Sequence, residues 1–199
     1  MTSGPETSPT FLDHLRDPGN DVAWRRFVEL YCPIVYRLAK RKGLDRESAE
    51  VIVQEFCVRM VRYLQDFEYD RKRGRFRGWV RKVALHEIYR FWRRQHAGKP
   101  KAVISIDAEN DVVPDPADDS WWEGAEIARL LHLALDDVRS QVSSRDYDIF
   151  RRTVLNDEAV EDVSKRHDVT ANHIYGIKFR MLRLIRQQAH RLREEWYDR

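Results

Sequence analysis

The chain is poor in sulfur: of its 199 residues only two are cysteines, Cys32 and Cys57. Both stand in apolar stretches with no His or Cys neighbour at metal-ligand spacing, which argues against a thiolate metal centre. Reduced, core-packed thiols are the expectation, with a disulfide as the alternative that spacing leaves open. Strand signals are nearly absent, since no period-two alternation is sustained and no hairpin dipeptide separates β-branched runs. No apolar run has the length needed to span a bilayer. The opening MTSGPETSPT has no apolar signal region and reads as part of a disordered tail over 1–20, in a cytoplasmic protein.

The features that catalysis requires are also missing. There is no glycine-rich phosphate loop and no G-x-S-x-G elbow. The segment HEIYR begins like a zinc-protease helix, but position 90 is arginine where the second histidine would stand. The paired acids Asp118 and Asp119 fall in an expected linker, where nothing holds them rigid. No catalytic residue, metal or cofactor is expected.

Charge and helical periodicity are abundant. The formal net charge is only +3, yet 35% of the residues are charged, so their placement carries the information. Basic residues crowd into 71–101 and 178–193. From Ser105 to Ala128 there is no lysine or arginine, while eight acidic residues accumulate. Two basic segments around an acidic one suit a chain that touches nucleic acid at two places and not between them.

Asp21 is placed to cap a helix with Phe27, Leu30, Ile34 and Leu38 on its apolar face, bent or split at Pro33 and stopped by Gly43. Asp45 caps a second, reaching about Gln65, with Val51, Val58, Val61 and Leu64 among its apolar positions. A basic and aromatic helix follows Gly74 to about Gln95. Residues 97–119 collapse into Gly, Pro and Asp and read as a linker. Ser120 and Glu123 then have capping-box spacing, ahead of a helix with Ile127, Leu130, Leu131, Ala134 and Val138 on one side. Ser144 caps the next, and two short helices close the chain.

Two segments are candidates for binding. DEAVEDVSKRHDVTANHIYGIKFRMLRLIRQQ has the pattern of a helix-turn-helix. Val160 and Val163 point inward, Asp168 takes the left-handed turn position and Thr170 caps the second helix. Ile174, Ile177 and Met181 are expected to bury. Asn172, His173, Tyr175, Lys178 and Arg180 are left outside, where a major groove would meet them. A helical hairpin with a solvated face is the alternative. The second segment, RKRGRFRGWVRKVALHEIYRFWRRQ, interleaves cations with rings, which suits single-stranded nucleic acid. A solvated face over core rings, or a basic amphipathic helix on a membrane or partner, remains open.

Taken in order, these segments resemble the extracytoplasmic-function (ECF) sigma factors of bacterial RNA polymerase, over about Trp24 to Gln188. WRRFVELYCPIVYRLAKRKGL is similar to region 2.1. AEVIVQEFCVRMVRYL is similar to region 2.2, with an acidic-x-x-x-Gln core at Glu50 and Gln54. GRFRGWVRKVALHEIYRFWRR resembles regions 2.3 and 2.4, and residues 135–188 resemble region 4. The resemblance implies an all-α protein of two small helical bundles. Region 2 would occupy 21–96 and region 4, with the helix-turn-helix, 120–190. A flexible acidic linker would span 97–119, with tails at 1–20 and 191–199.

By the same resemblance the partners are core RNA polymerase, through its β′ clamp helices and β flap, and promoter DNA, duplex and single-stranded. The family also admits an anti-sigma factor. Glu50, Gln54, Glu55 and Arg59 would face the polymerase. Tyr69, Arg71, Arg73, Arg75, Phe76, His86, Arg90, Arg93 and Arg94 would hold the minus-ten element and help melt it. Thr170, Asn172, His173, Tyr175, Lys178, Arg180, Arg183 and Arg186 would bind the minus-thirty-five element. Among the rings nearest the basic loop, Tyr69 is the expected stacking ring and Trp79 the expected core residue.

The chain also departs from the family pattern. His86 and Arg90 stand where region 2.4 commonly has Asn and then Asp, which leaves the preferred minus-ten sequence open. Asp168 replaces the turn glycine, and Gly176 lies within the recognition helix. A helix-turn-helix regulator that binds duplex DNA without polymerase is the alternative function, and a polymerase- or sigma-binding protein that never touches DNA is a third.

Overall fold

The computed structural model describes residues 6–7, 9–65, 67, 75–95 and 116–198. The architecture is all-α. Its helices are α1 (Pro9–Arg16), α2 (Asp21–Arg41), α3 (Arg46–Gln65), α4 (Phe76–Gln95), α5 (Pro116–Gln141), α6 (Ser144–Phe150), α7 (Val160–His167) and α8 (Ala171–Trp196). A π-helical turn at Arg151–Leu155 continues α6. Glu6–Thr7 and Tyr197–Asp198 make a two-residue antiparallel pairing. The chain divides into two compact units, Met1–Ile127 with Glu195–Arg199, and Ala128–Glu194.

In the first unit, the expected apolar face of α2 is buried: Phe27, Leu30, Ile34 and Leu38 are at most 1% exposed. The helix runs through Pro33 without splitting. Its cap is Asn20, whose Oδ1 accepts from Ala23 N at 3.1 Å, and Asp21 lies in the first turn. Gly43 ends the helix at φ +90°, a backbone conformation that glycine adopts without steric cost. Asp45 caps α3 as expected, accepting from Ser48 N at 2.7 Å.

The apolar stripe of α3 is rotated from the expected one. Ala49, Ile52, Phe56, Met60 and Leu64 are buried, whereas Val51 and Val58 are 40% and 55% exposed. The helix is valine-rich on two sides, and packing against α2 and α4 chooses the side carrying the larger residues. Phe56 stacks on Phe27 with ring centroids 6.1 Å apart. Phe76, Val80, Ala84 and Ile88 of α4 complete this core.

Three stretches depart from the expected organisation. Residues 9–16, assigned to a disordered tail, form α1 and bury Phe11, Leu12 and Leu15. Arg16 also donates to the carbonyl of Phe67 at 2.7 Å. An eight-residue helix with three apolar side chains has too weak a local signal to stand out, and packing against α2 and α3 supplies the stability it lacks alone. Residues 116–119, assigned to the linker, open α5, because proline is well suited to a first helical position. The remaining linker residues, 97–115, lie outside the described residues. Instead of two short closing helices there is one short helix, α7, and one long one, α8, which runs through most of the expected 191–199 tail.

In the second unit, Ala134, Val138, Ile149, Phe150, Val163, Ile174, Ile177, Met181 and Ile185 form the core. Of the side expected to bury on α5, Ile127 and Leu131 instead are 68% and 47% exposed. Asp168 adopts φ 51° and ψ 56°, the left-handed conformation expected of the turn. Thr170 Oγ1 accepts from His173 N at 3.2 Å, fixing the start of α8. Ser164 Oγ donates to Val169 O at 2.5 Å, which pins the turn.

Candidate nucleic-acid and polymerase interfaces

Glu87 is the one acidic residue between Arg71 and Gln95, and it is fully enclosed at 0% exposure. A buried carboxylate without a partner costs several kcal/mol, and here cations from two helices gather on it. Arg59 of α3 places Nε 2.5 Å from Glu87 Oε1, an ion pair whose angles depart from hydrogen-bond alignment. On α4 itself, His86 Nδ1 lies 3.5 Å and Arg90 Nη1 4.0 Å from the same carboxylate. Arg94 donates to both oxygens of Glu55 at 2.6 and 2.7 Å.

Residues expected at two different interfaces are thereby interlocked. Glu55 and Arg59, placed at the polymerase surface by sequence, turn toward α4, while His86, Arg90 and Arg94, placed on DNA, turn toward α3. Arg59 also donates to Tyr63 OH at 3.3 Å and lies over that ring. Glu50 and Gln54 remain exposed on α3, Glu50 accepting from Arg46 at 2.9 Å one turn away. The exposed polymerase candidates thus narrow to one edge of the helix.

The ring cluster sorts in a similar way. Phe76 is 0% exposed, packing edge-on against Phe67 at 5.6 Å and at a tilt against Trp79 at 5.6 Å. The ring expected to meet DNA is thus enclosed in the core of the first unit. Trp79 is half-buried between Phe67, at 4.4 Å, and Tyr63, at 6.1 Å. Tyr69, Arg71 and Arg73 lie outside the described residues. Arg75 and Arg93 are half-buried at the two ends of α4.

A further feature of the first unit was not anticipated. The N-terminal part of α5 lies against α2 and α4 and neutralises their cations. Lys42 Nζ is 2.6 Å from Asp118 Oδ2, Arg81 pairs with Asp119, and Arg77 Nη2 is 2.9 Å from Glu123 Oε1. Trp122, 2% exposed, stacks on Tyr31 at 6.3 Å, and Arg41 lies over the Trp121 ring. Glu126 is 2% exposed, with Arg77 Nη1 3.6 Å away. Burial pushes its carboxyl up to about 7, against the opposing pull of Arg77. The acidic run was visible in sequence, but its partners stand dozens of positions away and no local pattern names them.

In the second unit, Asn172, His173 and Tyr175 are exposed at the start of α8, with Arg180, Arg183 and Arg186 further along. Lys178 Nζ sits 5.8 Å over the Tyr175 ring, and Arg180 pairs with Asp146 of α6. Thr170 is committed to its cap. Asn172, His173, Gly176, Phe179, Arg180 and Arg183 line a shallow recess of about 330 Å³. A Cβ at Gly176 would meet nothing within 4 Å, so the missing side chain leaves open space along this face. Phe179, not singled out by sequence, is 72% exposed beside it. On α6, Asp148 accepts from Arg151 and Arg152 at 2.6 and 2.8 Å, and the two guanidiniums hold its carboxyl down at about 2. His167 Nε2, at the end of α7, lies 3.2 Å from the same carboxylate.

Among the described residues, no group of three or more His, Cys, Asp or Glu is placed to hold a metal ion. No helix there is long and apolar enough to cross a membrane.

Residues 27–97 match the Sigma-70 region 2 family. Over 132 residues the chain is 26% identical to the ECF RNA polymerase sigma factor SigE of Mycolicibacterium smegmatis (strain ATCC 700084 / mc(2)155). That alignment covers 65% of this chain and 49% of the relative, so the chain spans about half the length of the curated protein it matches.

Proposed function

We propose that this chain, which carries a sigma-70 region 2 domain at residues 27–97, is an ECF-type sigma factor that directs core RNA polymerase to specific promoters and helps melt the minus-ten element. The observation that carries the reading is the match itself, which covers most of α2 and all of α3 and α4. Support from the second unit is the α7–α8 geometry. A left-handed Asp168 joins the helices, and polar side chains project from the first turn of α8. That is the placement from which a recognition helix reads base edges.

In this reading Gln54 and Glu50 face the polymerase, and Arg75, Arg93 and Tyr69 serve the single strand. Asn172 and His173 read the minus-thirty-five duplex, and Arg183 and Arg186 hold its phosphates. Core polymerase and promoter DNA are the partners, an anti-sigma factor is a further one, and the site of action is the cytoplasm. The protein catalyses nothing itself.

The test is reconstitution of purified core polymerase with this protein on fragmented genomic DNA. Discrete start sites that need both components are expected, with no retardation of those duplexes by the protein alone. Retardation of duplex without polymerase, and no protein-dependent start site, would move the assignment to a helix-turn-helix regulator.

A further inference from the structure

Cys32 on α2 and Cys57 on α3 are free thiols whose Sγ atoms lie 3.2 Å apart. Both residues are half-buried, whereas their neighbours Tyr31 and Phe56 are 0% exposed. The sulfurs therefore meet at the margin of the core. A disulfide needs them at about 2.05 Å, roughly 1.2 Å closer, a shift small beside the freedom of two side chains on neighbouring helices. We propose that Cys32 and Cys57 form an oxidation site, at which a small hydroperoxide converts the dithiol to an intramolecular disulfide clamping α2 to α3.

The hydrogen bond between the thiols sets the order of events. The hydrogen bond to Cys57 and burial push the Cys32 thiol up, while the same bond holds Cys57 below the ordinary thiol value. Thiolate character makes the better nucleophile. Cys57 sulfur attacks the peroxide oxygen, the O–O bond breaks, and the alcohol (water, for hydrogen peroxide) departs with a proton, leaving Cys57 as a sulfenic acid. Cys32 sulfur then attacks Cys57 sulfur, and the displaced hydroxide leaves as water with the Cys32 proton. The dithiol loses two electrons and the peroxide gains them.

The disulfide would close a loop between residues 25 positions apart in sequence. Restricting that loop in the unfolded chain stabilises the fold, and tryptophan fluorescence reads the effect because Trp24, Trp79, Trp92, Trp121, Trp122 and Trp196 all belong to the first unit. The experiment treats the full chain with hydrogen peroxide, counts thiols after denaturation and maps peptides by mass spectrometry. Expected are loss of both thiols, a Cys32–Cys57 peptide reversed by dithiothreitol, and a melting temperature higher by roughly 10 °C. Two surviving thiols, cross-links only between chains, or overoxidised cysteines without an internal link would overturn the proposal. Limited alkylation of the intact wild-type pair with iodoacetamide, mapped by mass spectrometry, tests the direction: Cys57 should be labelled at least about fivefold faster than Cys32. Faster labelling of Cys32 would overturn the assignment of the attacking sulfur.

Discussion

Arg59→Ala should destabilise the first unit by about 2–3 kcal/mol, although sequence placed this arginine on a solvent-facing polymerase surface. The substitution removes a guanidinium 2.5 Å from a carboxylate that is 0% exposed. Breaking a buried pair by deleting one partner costs roughly 3–5 kcal/mol, because the other charge is left uncompensated. Two features lower the figure here. The Arg59 side chain is itself 25% exposed, and His86 and Arg90 remain at 3.5 and 4.0 Å from Glu87. Urea unfolding followed by tryptophan fluorescence isolates the first unit, since all six tryptophans lie in it. With a slope of about 1–3 kcal/mol/M, the midpoint should fall by roughly 1 M or more. Adding Glu87→Gln removes the orphaned charge, so the double variant should recover part of the loss, and the cycle measures the coupling. An Arg59→Ala midpoint equal to that of the wild type would refute the argument. So would a double variant whose losses simply add. Gln54→Ala, on the exposed edge of α3, is the control that should leave the midpoint unmoved.

Two further outcomes are expected. Glu126 titrates near 7 in the folded unit against an ordinary value of 4.5, so the folded state binds the extra proton between those limits. Stability is full below about 4.5, falls as pH rises through about 7, and is ~3 kcal/mol lower once the carboxyl is ionised in both states. Fluorescence-monitored melting from pH 5 to 8 should show this slope in the wild type and a flatter one in Glu126→Gln, and parallel slopes would assign the pH dependence elsewhere. On the second unit, Asn172→Ala should change which minus-thirty-five sequences a transcription library selects, by about 1–3 kcal/mol per lost base contact. Arg183→Ala should lower activity on all of them alike, and an even loss with Asn172→Ala would mean that the reading face is misplaced.

What the sequence determined by itself is what neighbours along the chain settle. The helical period, the caps at Asp45 and Thr170, the stop at Gly43 and the left-handed turn at Asp168 each depend on residues within about one helical turn. The region 2 likeness was legible for the same reason, as short segments in order. Tertiary structure decided everything that needed a partner from elsewhere. It chose which side of α3 is core, gave the short α1 enough contact to fold, and made Phe76 a packing residue. It also turned Glu55 and Arg59 toward Arg94 and Glu87, and set the acidic run of α5 against Arg77, Arg81 and Lys42. A side chain's charge and shape state what it can bind, but among many arginines and carboxylates they do not state which one it meets. That choice is made when distant helices pack, because burial raises the cost of every unpaired charge.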